Sequence, residues 1–87
     1  MLNERIKKIE TALKYAFPDC ALEIIDNSHL HAGHAGAKTG KGHFKVRINA
    51  DELKNKSRVQ QHRLIYRALS DLFETDIHAL EIERPDD

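Results

Sequence analysis

The 87 residues of this chain predict a two-layer α+β domain, with helices packed on one face of a three-stranded mixed sheet. Three features predict it. An apolar stripe at helical spacing opens the chain and ends at Pro18. Phe44, Val46 and Ile48 alternate with Lys45 and Arg47, so they share one face of a half-buried strand. A second helical pattern then separates that strand from a final period-two stretch, and a strand–helix–strand unit most simply makes its two strands parallel neighbours. The order is helix, strand, strand, helix, strand.

Leu2, Ile6, Ile9, Leu13, Ala16 and Phe17 recur at three- and four-residue steps, with Asn3 as N-cap and Pro18 as stop. Lys7, Lys8, Glu10 and Lys14 fall on the solvent side. After the Pro18–Asp19 turn, Ala21 to Asp26 reads as a strand with Leu22 and Ile24 inward and Glu23 outward. Cys20, just before it, reads as a small buried hydrophobe rather than a nucleophile. The second strand runs from His43 to Asn49, and Lys45 and Arg47 can pair on its wet face with Glu23, Glu81 or Glu83, which sets register more than stability. Asp51 to Asn55 is a turn. Ser57-Arg58-Val59-Gln60 matches a capping box opening a long helix to about Glu74, with Val59, His62, Ile65, Leu69, Leu72 and Phe73 as its inner stripe. His62 there reads as a packed, hydrogen-bonded core histidine. Thr75 and Asp76 end the helix, and Ile77 to Arg84 alternates again, with His78, Leu80 and Ile82 on the helix-facing side.

Length and composition bound the function. A chain this short is one domain, residues 1–87, burying roughly 60–65% of the surface its unfolded form exposes. Fourteen basic and fourteen acidic side chains give a formal net charge of zero, so no global field recruits nucleic acid or anionic membrane. A single cysteine excludes an internal disulfide, which predicts an intracellular, cytoplasmic protein. The first residues carry acids and no apolar run of the signal-peptide kind, and nothing reaches the length of a membrane span. No nucleophile is paired with a base and no cofactor loop is present, so the reading is non-enzymatic.

Chemistry concentrates between Ser28 and Phe44, SHLHAGHAGAKTGKGHF. Four of the six histidines, His29, His31, His34 and His43, are interleaved there with the chain's four glycines, which is loop material rather than helix or strand. Such a loop is either a solvated connection or a carrier of metal ligands, since neutral imidazole is the commonest of these. Topology adds a second point. If the last two strands are parallel, the third begins at the edge where the second begins, which is also where the histidine loop ends. With strands about 4.8 Å apart, His78 at that rim and a loop imidazole can come within a few ångströms. His78 then either caps the core edge or joins a site. Two imidazoles alone leave a site incomplete, because structural zinc takes four protein ligands and catalytic zinc three, and no CxxC or HExxH spacing occurs. His29, His34 or a partner would supply the rest, and mixed ligation by histidine and thiolate is a known way to hold an iron–sulfur cluster.

LEIIDNSHLHAGHAG, GHFKVRI, SRVQQHRLIYRAL and IHALEI, in that order, resemble the BolA family along nearly the whole chain. The resemblance implies a class II KH-like fold. It also implies a partnership with a monothiol glutaredoxin, sharing a two-iron two-sulfur cluster for iron–sulfur trafficking or iron regulation. In the family pattern the histidine of the HAL motif is a ligand, which falls on His78, and the second comes from the first strand–strand loop, which falls on His31 with His34 as rival. The glutaredoxin's cysteine and its bound glutathione complete the set; the isolated chain is then mainly a monomer with no tightly held cofactor, and a heterodimer in the complex. The chain departs from the family in having Leu53-Lys54-Asn55 where many members have an aromatic residue and glycine before the long helix, but Asn tolerates the left-handed conformation. Some family members are described as transcriptional regulators. The alternative function is therefore DNA binding through Lys54, Lys56, Arg58 and Arg63, with Arg67 nearby, although the crossover lacks the GxxG loop with which KH domains clamp a nucleic-acid backbone.

Overall fold

The computed structural model describes residues 4–27 and 42–83. Helix α1 spans Glu4–Ala16, strand β1 Ala21–Asp26 and strand β2 Gly42–Asn49. A 3₁₀ turn at Asp51–Leu53 leads to helices α2, Arg58–Ala68, and α3, Ser70–Thr75, and strand β3 spans Ile77–Glu83. The sheet order is β1-β2-β3, with β1 and β2 antiparallel and β2 and β3 parallel. This is the expected mixed three-stranded sheet of an α+β domain, and the pattern that forecast it is visible in the burial. Phe44, Val46 and Ile48 of the central strand are buried together with Ile9, Leu13 and Phe17 of the first helical stripe, and with Leu53, Ile65, Leu69 and Ile77.

The turn before α2 is built as its sequence requires. Asn55 takes φ 63°, the left-handed region that it tolerates better than most residues. The buried Gln61 amide holds the same turn by donating to Leu53 O at 2.7 Å and Lys56 O at 3.4 Å. Ser57 and Gln60 form the reciprocal capping box, Gln60 N to Ser57 Oγ at 3.1 Å and Ser57 N to Gln60 Oε1 at 3.0 Å. On the open face of the sheet Arg47 bridges Glu23 and Glu83, at 3.1 and 3.0 Å, and Lys45 reaches Glu83 at 3.1 Å. The anticipated cross-strand pairs are thus formed by Glu23 and Glu83.

Four expectations are corrected. The long helix is two: it breaks at Leu69 (φ −104°, ψ 10°), whose fully buried side chain is drawn into the core just before Ser70 and Asp71, residues that favour helix starts over helix interiors. Val59, in the first turn of α2, is 58% exposed rather than inward. Ala16, assigned to the α1 stripe, is exposed where that helix ends. His62 is only half-buried and its Nε2 has no hydrogen-bond partner among the described residues. Its ring instead lies parallel to that of Tyr66, 6.3 Å away, and Tyr66 stacks in turn on Phe73 at 4.8 Å. The Tyr66 hydroxyl donates to Leu80 O at 3.3 Å, tying α2 to β3.

Candidate metal-binding site

The parallel pairing of β2 and β3 brings their first residues to one rim. Gly42 is opposite Ile77 and His43 opposite Ala79, so the ladder skips His78, and regular pairing resumes at Phe44 and Leu80. This bulge changes the parity of β3. Alternation back from Ile82 and Leu80 places His78 on the helix-facing side, as the sequence predicts. In the structure Ile77 takes the core position at 1% exposure, while His78 and Ala79 are exposed in succession. The bulge turns His78 outward, and its ring comes to rest beside that of His43, with centres 5.1 Å apart and planes tilted by 53°.

Two rings in simple contact have such a separation, and so do two imidazoles on one metal; the Nε2 of His43 is itself buried. A ring nitrogen about 2.1 Å from a metal puts the ring centre about 3 Å away, so two rings at a near-tetrahedral angle have centres about 5 Å apart. Among the described residues no group of three or more His, Cys, Asp or Glu side chains converges on a metal-sized site, so the pair is at most half of one.

His78 therefore lies at the rim where the sequence locates it, on the opposite face from the one expected. His31 and His34 lie outside the described residues, as does His29. The stretch that carries them leaves the sheet at Asn27 and returns at Gly42, and both ends are tied near the pair: Asn27 N–H donates to His43 O at 2.8 Å, and Gly42 N–H to Asp76 O at 2.9 Å. The residue that sequence reasoning passed over is His43. It closes the histidine-rich run and opens the second strand, and parity from Phe44 puts it on the outer face at the start of β2, next to the start of a parallel β3.

Other candidates are separated by the structure. Cys20 is half-buried, and burial pushes its thiol above the usual range against the pull of Lys14, which disfavours the thiolate a nucleophile needs. Of the basic residues, Lys54 pairs with Asp51 at 3.0 Å. Lys56, Arg63 and Arg67 line one shallow groove of α2 with Gln60 and Leu64. Arg58 is exposed at the start of that helix. No helix among the described residues is long and apolar enough to cross a membrane.

Fold and rim together define a class: small α+β domains that present imidazole at the mouth of a parallel strand pair. The sequence profile described as "BolA-like protein" matches residues 5–85, and the chain belongs to the BolA-like family. It is 38% identical over 86 residues to SufE-like protein 1, chloroplastic/mitochondrial, of Arabidopsis thaliana, covering 93% of this chain but 23% of that protein. It is 35% identical over 82 residues to the DNA-binding transcriptional regulator BolA of Escherichia coli, covering 94% of this chain and 72% of the relative. The chain thus spans less than a quarter of the SufE-like relative. Among solved structures, the BolA domain of SufE1 from Arabidopsis thaliana superposes with a TM-score of 0.80 at 37% identity, covering 99% of this chain and 98% of that one. BolA1 from the same plant superposes with a TM-score of 0.77 at 32% identity, over 97% and 93% of the two chains.

Proposed function

We propose that this chain is a non-enzymatic, cytoplasmic partner of a monothiol glutaredoxin, and that the two share a two-iron two-sulfur cluster in iron–sulfur trafficking or iron regulation. The observation that carries the reading is the His43–His78 pair: two imidazole rings 5.1 Å apart at a rim, with no third or fourth ligand among the described residues. A half-site of this kind suits a shared ligand set better than a resident ion. Thiolate from the glutaredoxin and from its glutathione supplies the other half, and the isolated chain holds no cluster tightly. The cluster is cargo, and its chemistry is electron storage and iron–sulfide transfer.

His78 is the constant ligand in this proposal. Its companion is His43, already beside it, or His31 from the segment between Asn27 and Gly42, with His34 as a third choice. The ring contact favours His43, whereas the family pattern favours His31. Complex formation with a cluster-loaded monothiol glutaredoxin, followed by visible circular dichroism, tests the reading. His78→Ala alters the spectrum, and one of His43→Ala, His31→Ala or His34→Ala reproduces part of that change. A spectrum indifferent to all four variants rejects the proposal.

A second reading has one specific observation behind it. Lys56, Arg63 and Arg67 converge around one groove on α2, and the Escherichia coli relative is named a DNA-binding regulator. DNA contact by this surface, flanked by Arg58 and Lys54, would be an accessory role of electrostatic origin, weakening steeply with salt.

A further inference from the structure

The rim where the imidazoles meet is fastened by a single buried carboxylate. Asp76, only 5% exposed, lies between the last residue of α3 and the first of β3. Its side chain accepts from Arg5 Nε at 3.1 Å and from Thr75 Oγ1 at 2.7 Å, and Lys8 Nζ stands 3.5 Å from Oδ2. Its amide donates to Leu72 O at 2.7 Å, and its carbonyl accepts the Gly42 amide at 2.9 Å. One residue thereby joins α1, the end of α3, and the first residue of β2.

We propose that Asp76 is a positioning residue for the imidazole pair: by holding these three elements at one point, it fixes the bulge that seats Ile77 in the core and turns His78 out beside His43. The inference rests on the reading that this pair is the chain's iron-binding half. A bulge leaves its extra residue unpaired and disrupts the ladder locally, so the contacts on either side of His78 bear on where it sits. Downstream of His78 these are the regular pairs from Phe44–Leu80 to Arg47–Glu83. Upstream there is the Gly42–Ile77 position and the Asp76 carbonyl bond beside it, and Asp76 is itself held by two cations from α1. Release of Asp76 lets β3 return to plain alternation, in which His78 swings toward the helices and away from His43. An amide in its place keeps size and the backbone bonds but loses the attraction of Arg5 and Lys8. The proposal assigns the positioning role to that charge, because the hold on α1 is what Asp76→Asn removes while the Gly42 bond to the Asp76 carbonyl stays.

The test compares Asp76→Asn with Ile65→Val, a core substitution on α2 that lowers the melting temperature without removing any contact of the Asp76 carboxylate. The full chain, isotopically labelled, is examined well below the melting point of either variant. The readouts are the nuclear Overhauser contact between the His43 and His78 ring protons, and the visible circular dichroism of the complex with a cluster-loaded monothiol glutaredoxin. Asp76→Asn loses most of the ring contact and alters the cluster spectrum, whereas Ile65→Val retains both. An unchanged ring contact in Asp76→Asn, with only a lower melting temperature, overturns the proposal, because Asp76 would then be a stabiliser alone. If Asp76→Asn does not fold, the double variant Arg5→Gln/Lys8→Gln, which keeps the carboxylate and removes its cations, decides on the same contact. Should His78→Ala leave the cluster spectrum intact while Asp76→Asn abolishes the ring contact, the iron reading fails and the positioning of the pair stands.

Discussion

The bulge at the start of β3 makes opposite demands on two adjacent residues, and substituting each in turn measures it. Ile77 is 1% exposed, so Ile77→Ala removes three buried carbons. At about 0.8 kcal/mol per methylene, plus the cavity left behind, the loss is about 3 kcal/mol. His78→Ala removes an exposed ring and costs less than about 0.5 kcal/mol. A domain of this size unfolds in urea with a slope of roughly 1 kcal/mol per molar. Ile77→Ala thus lowers the unfolding midpoint by about 2–3 M, while His78→Ala leaves it almost unmoved. Since such domains have only about 5–10 kcal/mol in total, the difference is easy to see by far-ultraviolet circular dichroism. Without the bulge, β3 alternates regularly and His78 is the inward residue. The ranking then reverses, with Ile77→Ala mild and His78→Ala costly, and that outcome would refute the geometry of the site.

The Asp76 carboxylate makes stability pH-dependent in a stated direction. Burial pushes its pKa up, but hydrogen bonds from Thr75 and Arg5 and the charge of Lys8 outweigh this and hold it below the usual carboxylate range. A depressed folded-state pKa gives stability that is complete above the unfolded value of about 3.9 and is lost as pH falls through the folded value. The gap between wild type and Asp76→Asn, about 1–3 kcal/mol at neutral pH with its cationic partners partly exposed, closes on acidification below about pH 4; a gap constant down to the acid limit excludes the ion pairs as its source. Ser57→Ala removes one side of the capping box and costs about 1 kcal/mol by thermal or urea unfolding, and no measurable loss would mean that the first turn of α2 is held by packing alone. Arg47→Ala, by contrast, deletes a bridge on the open face from an exposed guanidinium to exposed Glu23 and half-buried Glu83, and changes stability by less than about 1 kcal/mol. For the DNA reading, anisotropy titration of labelled duplex at two salt concentrations shows weak binding that the charge reversals Lys56→Glu and Arg63→Glu reduce; binding indifferent to both removes the groove from consideration.

The fold was legible because each of its main signals is periodic and local. Phe44-Lys45-Val46-Arg47-Ile48 admits one pairing face, Pro18 stops the first helix, Ser57 and Gln60 start the second, and a strand–helix–strand unit favours the parallel pairing of β2 with β3. Local signals were blind where a side chain answers to several elements at once. Ser70 and Asp71 favour a helix start but do not by themselves compel a break at Leu69, whose side chain is fully buried in the core. Val59 has the spacing of a core residue but is exposed in the first turn of α2. For the site, the rim position of His78 followed from topology, yet its facing did not. Period-two parity fails at a bulge, and this one joins Gly42 to Ile77 across 35 positions of sequence. Asp76 carried no sequence signal beyond that of a helix terminator, because its partners Arg5 and Lys8 lie at the other end of the chain. His43 was readable from parity, but its membership of a histidine-rich run concealed it.

The most direct measurement is of the iron's nitrogen ligands. With the chain labelled with ¹⁵N at histidine and the cluster shared with an unlabelled monothiol glutaredoxin, reduction by one electron gives a paramagnetic centre whose electron–nuclear couplings report any imidazole bound to it. The expected result is ¹⁵N couplings of directly coordinated strength that vanish in His78→Ala. A reduced cluster with no such coupling in the wild-type complex, or with couplings untouched by His78→Ala, would contradict it.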